Sequence, residues 1–287
     1  MPSKKAIKLR KQSVGTIKQI VKAMNMVAAT KLQRSKVRLV AARPMLKESQ
    51  RMLVQLGAAE GVRDHAFFRA PKGRRTAYVV ITSNRGLCGS YNSNVSGAAL
   101  KHMEADREEL VLAVGLRGRD YFQRHGKRVK DSYPQIAETA FYLEAQILSK
   151  AVLDLYISGE VDEVYLAYTH FESVLSHMPR VVRLLPVGEE ETEDAEPTPR
   201  GNLAVGYEPS QTEALDHAVP ACISALLFGA LQESACSEHA SRMLSMDAAK
   251  KSATDITEKL TRLYNRKRQA GITQEITEII GGANVTN

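Results

Sequence analysis

Residues 20–39 read IVKAMNMVAATKLQRSKVRL, and this stretch decides the fold of the N-terminal part of the chain. Apolar or small side chains recur every three or four residues, which is the repeat of one face of an α-helix. From Met1 to Lys47 the chain carries thirteen Lys and Arg and no Asp or Glu. Surface helices usually mix both signs, because Glu–Lys pairs one turn apart stabilise them. A long helix of one charge sign therefore indicates a partner outside the helix.

The apolar seam of this helix extends over about residues 3–56. Its predicted members are Val14, Ile17, Val21, Met24, Ala28, Leu32, Ser35, Leu39, Ala42, Leu46, Ser49, Leu53 and Leu56. The steps alternate between three and four residues, as in a coiled coil, with one four-residue stutter between Ala28 and Leu32. Pro44 lies within this span and predicts a local kink or loosening of the helix.

A second long helix is predicted for about residues 209–280, opening at Glu208-Pro209-Ser210 and stopping at Gly281-Gly282. Its predicted seam is Ile223, Leu227, Ala230, Ser234, Ser237, Ser241, Leu244, Ala248, Ile256, Leu260, Leu263, Ala270, Ile272, Ile276 and Ile279. The many Ala and Ser residues allow close approach of a second helix. Each seam is too narrow to bury a helix inside a globule. The two terminal helices therefore most simply pair antiparallel as a coiled coil.

The middle of the chain, residues 75–205, alternates strand and helix patterns. Strands are predicted for residues 76–82, 110–115 and 161–171, with 174–185 as an extended partner; helices are predicted for residues 92–104, 117–125 and 140–158. This alternation is typical of a small parallel α/β layer. Residues 187–201 form a predicted acidic loop, because Glu189–Glu196 holds six acids and prolines follow.

Composition narrows the possible partners. The chain has 287 residues and a net charge of +8, with a pI of about 9.3, so an acidic protein, a nucleic acid or an anionic membrane surface is plausible. Three cysteines without a CxxC pair favour a reducing compartment over a disulfide framework or zinc site. No apolar run reaches the roughly 18–20 residues of a membrane span, and the N-terminus has no apolar signal core. We expect neither a transmembrane nor a signal segment.

Candidate catalytic and binding motifs are few. Residues 83–92, SNRGLCGSYN, lie between a strand and a helix, where a phosphate could bind helix N–H groups. The stretch matches neither GxGxxG nor GxxxxGK[ST], so a tight turn with Cys88 buried beneath it is the favoured interpretation. The seven histidines form no HExxH-like ligand spacing, and the acidic loop lacks the spacing of a calcium loop. We expect no catalytic, cofactor-binding or metal-binding residues in this chain.

The basic N-terminal segment leaves several functions open. Met24 at helical spacing is either core or a soft contact to a moving partner. The charges fit a solvated face, a phosphate backbone or an acidic protein surface. Single-stranded nucleic acid is disfavoured, since residues 1–56 contain no aromatic side chain to stack on bases. A basic coiled-coil protein that binds nucleic acid or a membrane surface remains the alternative, and a dinucleotide enzyme built on Gly86–Gly89 is a third possibility.

Three stretches resemble one family, the gamma subunit of F-type ATP synthase, which is the central rotor shaft. IKQIVKAMNMVAATKL (Ile17–Leu32) resembles its N-terminal signature, and ITSNRGLCGSYN (Ile81–Asn92) resembles the signature of its α/β domain. SEHASRMLSM (Ser237–Met246) and LYNRKRQAGITQEITEIIGG (Leu263–Gly282) resemble its C-terminal signature. Their order and spacing agree with the family over nearly the whole chain.

The resemblance implies a fold of mixed α+β and α/β class. The N-terminal helix (1–57) and C-terminal helix (209–287) would form an antiparallel coiled coil, and residues 75–205 a Rossmann-like domain. It implies a non-catalytic subunit that couples ion-driven rotation of the membrane c-ring to ATP synthesis or hydrolysis. Its implied partners are three alpha and three beta subunits, the epsilon subunit and the c-ring, with no nucleic acid.

The resemblance also implies a place in the cell and a set of contacts. The chain would lie peripherally on the cytoplasmic face of the bacterial inner membrane, bound only through the complex, and ATP, ADP and Mg²⁺ would bind partner subunits. Five residues within the matching motifs would contact the stator: Met24, Lys31, Arg242, Gln269 and Thr273. Asn25 departs from the charged residue often found beside that methionine. The chain lacks the cysteine-containing insertion of the chloroplast branch, so we predict no thiol switch.

Overall fold

The computed structural model describes residues 3–59, 61–71, 73–103, 107–188, 208 and 210–285, without the side chains of residues 278 and 281–285. The chain divides into two compact units. Met1–Ala29 and Arg242–Asn287 form the first, called the helical unit, and Thr30–Ser241 forms the second, called the sheet unit. The predicted acidic loop lies almost wholly outside the described residues.

Two long helices carry residues of both units, and the remaining elements belong to the sheet unit. The helices are α1 (Lys4–Gly57), α2 (Tyr91–His102), α3 (Leu116–Arg124), α4 (Pro134–Thr139), α5 (Tyr142–Ile157) and α6 (Gln211–Val285). The strands are β1 (Arg75–Ile81), β2 (Glu108–Val114), β3 (Arg128–Ser132), β4 (Glu163–Phe171) and β5 (His177–Leu185). A short 3-10 helix covers Val62–Asp64.

The five strands form one sheet in the order β3-β2-β1-β4-β5. Strands β1 to β4 are mutually parallel, and β5 pairs antiparallel with β4. The predicted α/β layer is therefore confirmed, with a mixed rather than wholly parallel sheet. Strand β3 and helix α4 were not predicted. The sequence of β3, RVKDS, is mostly charged because the strand lies at the sheet edge, and it gives no apolar signal.

Both faces of the sheet are covered. On β1, Ala77, Val79 and Ile81 point to one face and Tyr78 and Val80 to the other. The first face joins a core with apolar residues of α4, α5, α6 and the end of α1, and the second packs against residues of α2 and α3. Burial on both faces explains why the predicted central strands are continuous apolar runs without an alternating pattern.

The seam of α1 is a regular heptad from Ile7 to Leu56, so the predicted stutter is wrong. Two rows of residues with a seven-residue spacing are buried or half-buried along the whole helix, and Met24 is half-buried beside them. The first row is Ile7, Val14, Val21, Ala28, Ser35, Ala42, Ser49 and Leu56; the second row is Lys11, Lys18, Asn25, Leu32, Leu39, Leu46 and Leu53. Ile17, a predicted seam residue, is 52% exposed, and Lys18 takes its place. The polar residues keep the heptad in phase with the leucines that follow.

Helix α6 differs from its prediction in two respects. It continues through Gly281 and Gly282 to Val285 instead of stopping at the glycines. Within the helical unit its seam includes Met246, Ala253, Thr257, Leu260, Tyr264 and Lys267, all buried or half-buried. Several isoleucines and leucines assigned to the seam are exposed instead: Ile256, Leu263, Ile272, Ile276 and Ile279.

One segment of α6, Gln211–Thr277, is by length and composition apolar enough to cross a membrane. More than half of its most apolar window, 56%, is buried inside the protein. The core helix of a soluble protein has the same properties. In the sheet unit this apolar composition is accounted for by packing, since Leu215, Val219, Ile223 and Leu227 belong to the core.

Candidate functional site: the surface of the helical unit

The helical unit combines positive charge with exposed apolar side chains. Its α1 segment, residues 1–29, holds seven Lys and Arg and no Asp or Glu. Among the side chains of the unit that the structure describes, eleven large apolar ones are exposed: Leu9, Ile17, Ile20, Met26, Val27, Ile256, Leu263, Ile272, Ile276, Ile279 and Ile280. Exposed apolar side chains in this number, among basic residues, indicate a surface that contacts another protein.

The five predicted contact residues lie in different places. Met24 and Arg242 are half-buried in the helical unit. Met24 directly precedes Asn25 and Arg242 directly precedes Met243, and Asn25 and Met243 are hydrogen-bonded to each other. Gln269 and Thr273 are exposed one turn apart on α6, where the Thr273 hydroxyl donates to the Gln269 carbonyl at 3.0 Å. Lys31 is exposed on α1 within the sheet unit.

Asn25 joins the two helices of the helical unit. Its Nδ2 donates a hydrogen bond to the main-chain carbonyl of Met243 at 2.9 Å. Asn25 lies near the end of its segment and Met243 near the start of its own, so the two helices run antiparallel, as predicted. Sequence reasoning identified Asn25 as a departure from the family pattern but did not find this bond, because the acceptor is a main-chain atom with no sequence signal.

Side chains of the loop after β1, and of the helix that follows it, make hydrogen bonds that hold this loop in place. The Asn92 side chain accepts from the Ser83 main-chain N–H at 2.9 Å, and its Nδ2 donates to the Cys88 Sγ at 3.2 Å. The Asn84 side chain accepts from the Leu116 N–H at the start of α3, at 3.0 Å. Cys88 is 1% exposed. The predicted burial of Cys88 is confirmed, and the hydrogen-bonded turn lies slightly later than predicted, because the Tyr91 N–H donates to the Cys88 carbonyl at 3.2 Å.

Helix α6 lies against the loop after β1 and against β4. The Ser241 hydroxyl donates to the Cys88 carbonyl at 2.6 Å, and the Ser237 hydroxyl donates to the Thr169 carbonyl at 3.3 Å. Nucleotides in doubly wound folds bind where the order of the parallel strands reverses, which here is between β1 and β4. In this chain Ser237 and Ser241 of α6 make their hydrogen bonds at this point. The predicted close approach of Ala- and Ser-rich α6 is therefore partly an approach to the sheet.

A buried ionisable pair connects α6 with β4. The Glu233 carboxylate lies 2.7 Å from His170 Nδ1, and the Glu233 side chain is 8% exposed. Burial raises the pKa of Glu233, although His170 and Arg180 oppose the shift. Cys236, one turn further along α6, has its pKa raised to about 12 by burial and by Glu233, against the opposing effect of Lys36 and Arg43. Spacing patterns on single helices gave no signal for this pair.

Among the described residues, no group of three or more His, Cys, Asp and Glu side chains is placed to hold a metal ion. The polar side chains around the loop after β1 are used in internal hydrogen bonds. The features that remain are the exposed basic and apolar side chains of two long helices. They define a class of mixed α/β protein whose long terminal helices present side chains to partner proteins.

Comparison with known proteins identifies the family. A family profile described as ATP synthase matches residues 3–285. An ATP synthase gamma chain of Lachnoclostridium phytofermentans is 38% identical, with all of both chains covered. An ATP synthase gamma chain of Geobacter metallireducens is 39% identical, covering 99% of this chain and 98% of that protein.

Solved structures agree with this result at the level of the fold. A chain in the central stalk and c-ring structure of Tetrahymena thermophila mitochondrial ATP synthase has a TM-score of 0.62 and 25% identity, covering 80% of this chain and 99% of that one. A chain of the Euglena gracilis mitochondrial ATP synthase has a TM-score of 0.70 and 19% identity, with 99% and 94% covered. The chain belongs to the ATP synthase gamma chain family.

Proposed function

We propose that this chain is the central-stalk rotor subunit of an F-type ATP synthase. It couples ion-driven rotation of a membrane c-ring to ATP synthesis or hydrolysis on other subunits. The observation that carries the proposal is full-length similarity to ATP synthase gamma chains. An exposed, acid-free basic segment of α1, together with exposed apolar residues, supports it, because a rotor needs a surface that contacts partners.

In this proposal the chain is not itself catalytic. The helical unit enters a ring of three alpha and three beta subunits, where its basic side chains meet acidic loops of the beta subunits. The two helices carry different side chains, so each beta subunit meets a different face as the shaft turns. Binding energy that differs between faces then shifts each catalytic site between nucleotide affinities, as differential affinity shifts any conformational equilibrium. ATP, ADP and Mg²⁺ bind to those partner subunits.

Met24, Lys31, Arg242, Gln269 and Thr273 are the proposed contacts with the stator. Their support is exposure or half-burial on α1 and α6. Met24 supplies a soft apolar contact that adapts to changing neighbours. Arg242 and Lys31 supply positive charge, and Gln269 and Thr273 supply polar contacts on an otherwise apolar and basic face. Weak contacts of this kind allow binding in three orientations without permanent attachment in one.

The sheet unit would contact the epsilon subunit and the c-ring. The chain would then lie on the cytoplasmic face of the bacterial inner membrane and reach the membrane only through the complex. The apolar stretch of α6 does not argue against this position, because more than half of it is buried within the protein.

Co-assembly tests the proposed function. The full chain is co-expressed with alpha and beta subunits. In a parallel preparation the alpha and beta subunits carry an epitope tag. We expect one copy of this chain for every three alpha and three beta subunits, and ATP hydrolysis that depends on its presence. A stable chain that stays monomeric beside folded alpha and beta subunits would contradict the proposal. Steeply salt-dependent DNA or vesicle binding by that monomer would favour the alternative of a basic coiled-coil binding protein.

A further inference from the structure

The second row of the α1 seam changes character between the two units. In the sheet unit its members are leucines: Leu32, Leu39, Leu46 and Leu53. In the helical unit its members are polar: Lys11, Lys18 and Asn25. Leucines fix the register of paired helices by filling holes in the facing helix. In the helical unit the second row lacks this contribution, so the local register there depends on the apolar first row, on the continuity of both helices and on a specific polar contact between them.

The lysines of this row do not provide it. Lys11 and Lys18 are half-buried, and a lysine can lay its methylene chain along a seam while its ammonium group reaches water. Such a contact tolerates several axial positions. The α6 seam of this unit is mixed, because Met246 and Leu260 are apolar while Thr257 and Lys267 carry polar groups.

Asn25 is short, half-buried and directed at one acceptor. Its Nδ2 lies 2.9 Å from the Met243 carbonyl, and the two residues are 218 positions apart in the chain. A carbonyl oxygen has two lone pairs, so it can accept this bond in addition to the intrahelical one. Sliding α1 by one turn would move the amide about 5 Å from this oxygen. A buried asparagine in a coiled-coil seam is the best-attested device for specifying register, at a cost in stability.

We propose that Asn25 is the register-determining residue of the helical unit. Its bond to the Met243 carbonyl sets the axial and rotational offset between the two helices. The adjacent residues Met24 and Arg242 are thereby held in one relative position. Asn25 is a positioning residue, because it acts through the helices that carry these side chains. Only the consequence for coupling rests on the proposed rotor function.

Distance measurements on the full-length chain test the register directly. Spin labels are attached through Thr16→Cys and Ser252→Cys, both exposed positions of the helical unit. Cys88, Cys222 and Cys236 are buried, so labelling of the folded chain is directed to the new sites, and mass spectrometry checks this. The variant is Asn25→Leu. The matched control is Lys18→Leu, which also places leucine in the second row, one heptad earlier.

We expect one narrow distance distribution for the parent and for Lys18→Leu. Asn25→Leu is expected to show a broader distribution, or a second population displaced by one or two turns, about 5 or 11 Å along the axis. Asn25→Gln keeps an amide donor and should restore part of the narrow distribution. An Asn25→Leu distribution identical to that of the parent, in a chain that is folded by circular dichroism, would overturn the proposal.

A second measurement separates this inference from the proposed function. In the assembled complex, Asn25→Leu should lower the number of ions moved per ATP hydrolysed, while Lys18→Leu leaves this ratio nearer the parent value. Loss of register in the isolated chain with an unchanged ratio would support the role of Asn25 and contradict its link to coupling. Failure of all variants and the parent to assemble would contradict the proposed function, leaving the register result intact.

Discussion

Glu233 is a buried carboxylate whose protonation affects the stability of the sheet unit. Burial raises its pKa above the ordinary value of 4.5. Below pH 4.5 Glu233 is protonated in both the folded and the unfolded chain. As the pH rises, the folded chain must hold a buried carboxylate that is less favourable than in the unfolded chain, so the free energy of unfolding falls. Glu233→Gln should therefore gain stability relative to the parent as the pH rises above 4.5. Urea unfolding at several pH values measures this, and a constant difference would contradict it.

His170 partly compensates the charge of Glu233. Its removal in His170→Ala leaves the carboxylate without its 2.7 Å partner, which we expect to cost about 1–3 kcal/mol at pH 7. The double variant with Glu233→Gln should recover much of that loss, because no carboxylate then needs a partner. If the effects of the two substitutions simply add in the double variant, His170 acts through packing alone.

Cys236 is expected to be unreactive in the folded chain. With its pKa at about 12, about one thiol in ten thousand is ionised at pH 8, and the thiolate is the reactive form. Alkylation of Cys88, Cys222 and Cys236 should therefore be slow in buffer and fast in urea, as followed by mass spectrometry. ATP hydrolysis by the assembled enzyme should not respond to a dithiol reductant. A dithiol response that is lost on replacing one of these cysteines would contradict the predicted lack of a thiol switch.

Along α1, two adjacent residues provide a test of the heptad seam. Leu39 is 2% exposed and Val40 is 64% exposed. Leu39→Ala should lower the free energy of unfolding by about 2–4 kcal/mol, while Val40→Ala should change it by less than about 0.5 kcal/mol. Chemical denaturation of both variants gives the comparison. Equal losses would mean that the heptad phase assigned to α1 is wrong.

The contact of α6 with the loop after β1 predicts a smaller effect. Ser241→Ala removes the donor to the buried Cys88 carbonyl and should cost about 1–2 kcal/mol. Ser245→Ala, one turn further along the same helix, serves as the control for helix propensity. If both variants lose the same stability, the Ser241 bond contributes nothing specific.

The terminal helices and the central strands could be predicted from sequence, because long 3/4 spacings and apolar runs are strong local signals. The phase of the α1 seam was harder to predict from sequence. Ile17 lies beside Lys18 and Met24 beside Asn25, and a pattern search takes the apolar residue of each pair. In the folded protein the phase follows the leucines from Leu32 onward: Lys18 replaces Ile17 in the seam, and Asn25 joins it beside the half-buried Met24. This tertiary effect has no signal within the local window.

The candidate site was predictable only in part. One-sign charge indicated the surface of the helical unit, and contact of Met24 and Arg242 with partner subunits stays a prediction from the family motifs. The bond from Asn25 to a main-chain carbonyl and the pairing of His170 with Glu233 join positions 218 and 63 residues apart. Such contacts depend on how whole elements pack, and a single sequence read by itself gives no signal for them.

For the whole molecule, the proposed coupling predicts the effect of an added charge. Met24→Lys adds a cation to the basic segment of α1 at a half-buried position, with no large core residue removed. We expect normal assembly with the partner subunits and fewer ions moved per ATP hydrolysed. Met24→Leu, which keeps an apolar side chain, is the control and should stay close to the parent. Unchanged coupling in Met24→Lys would assign Met24 to packing only.

The most direct test of the rotor proposal is single-molecule rotation. Alpha and beta subunits are fixed to a surface, and a probe is attached to this chain through an exposed cysteine introduced in the sheet unit. During ATP hydrolysis we expect one-directional rotation of the probe in three equal steps per turn. ATP hydrolysis that requires this chain while the firmly attached probe stays still would contradict the proposal.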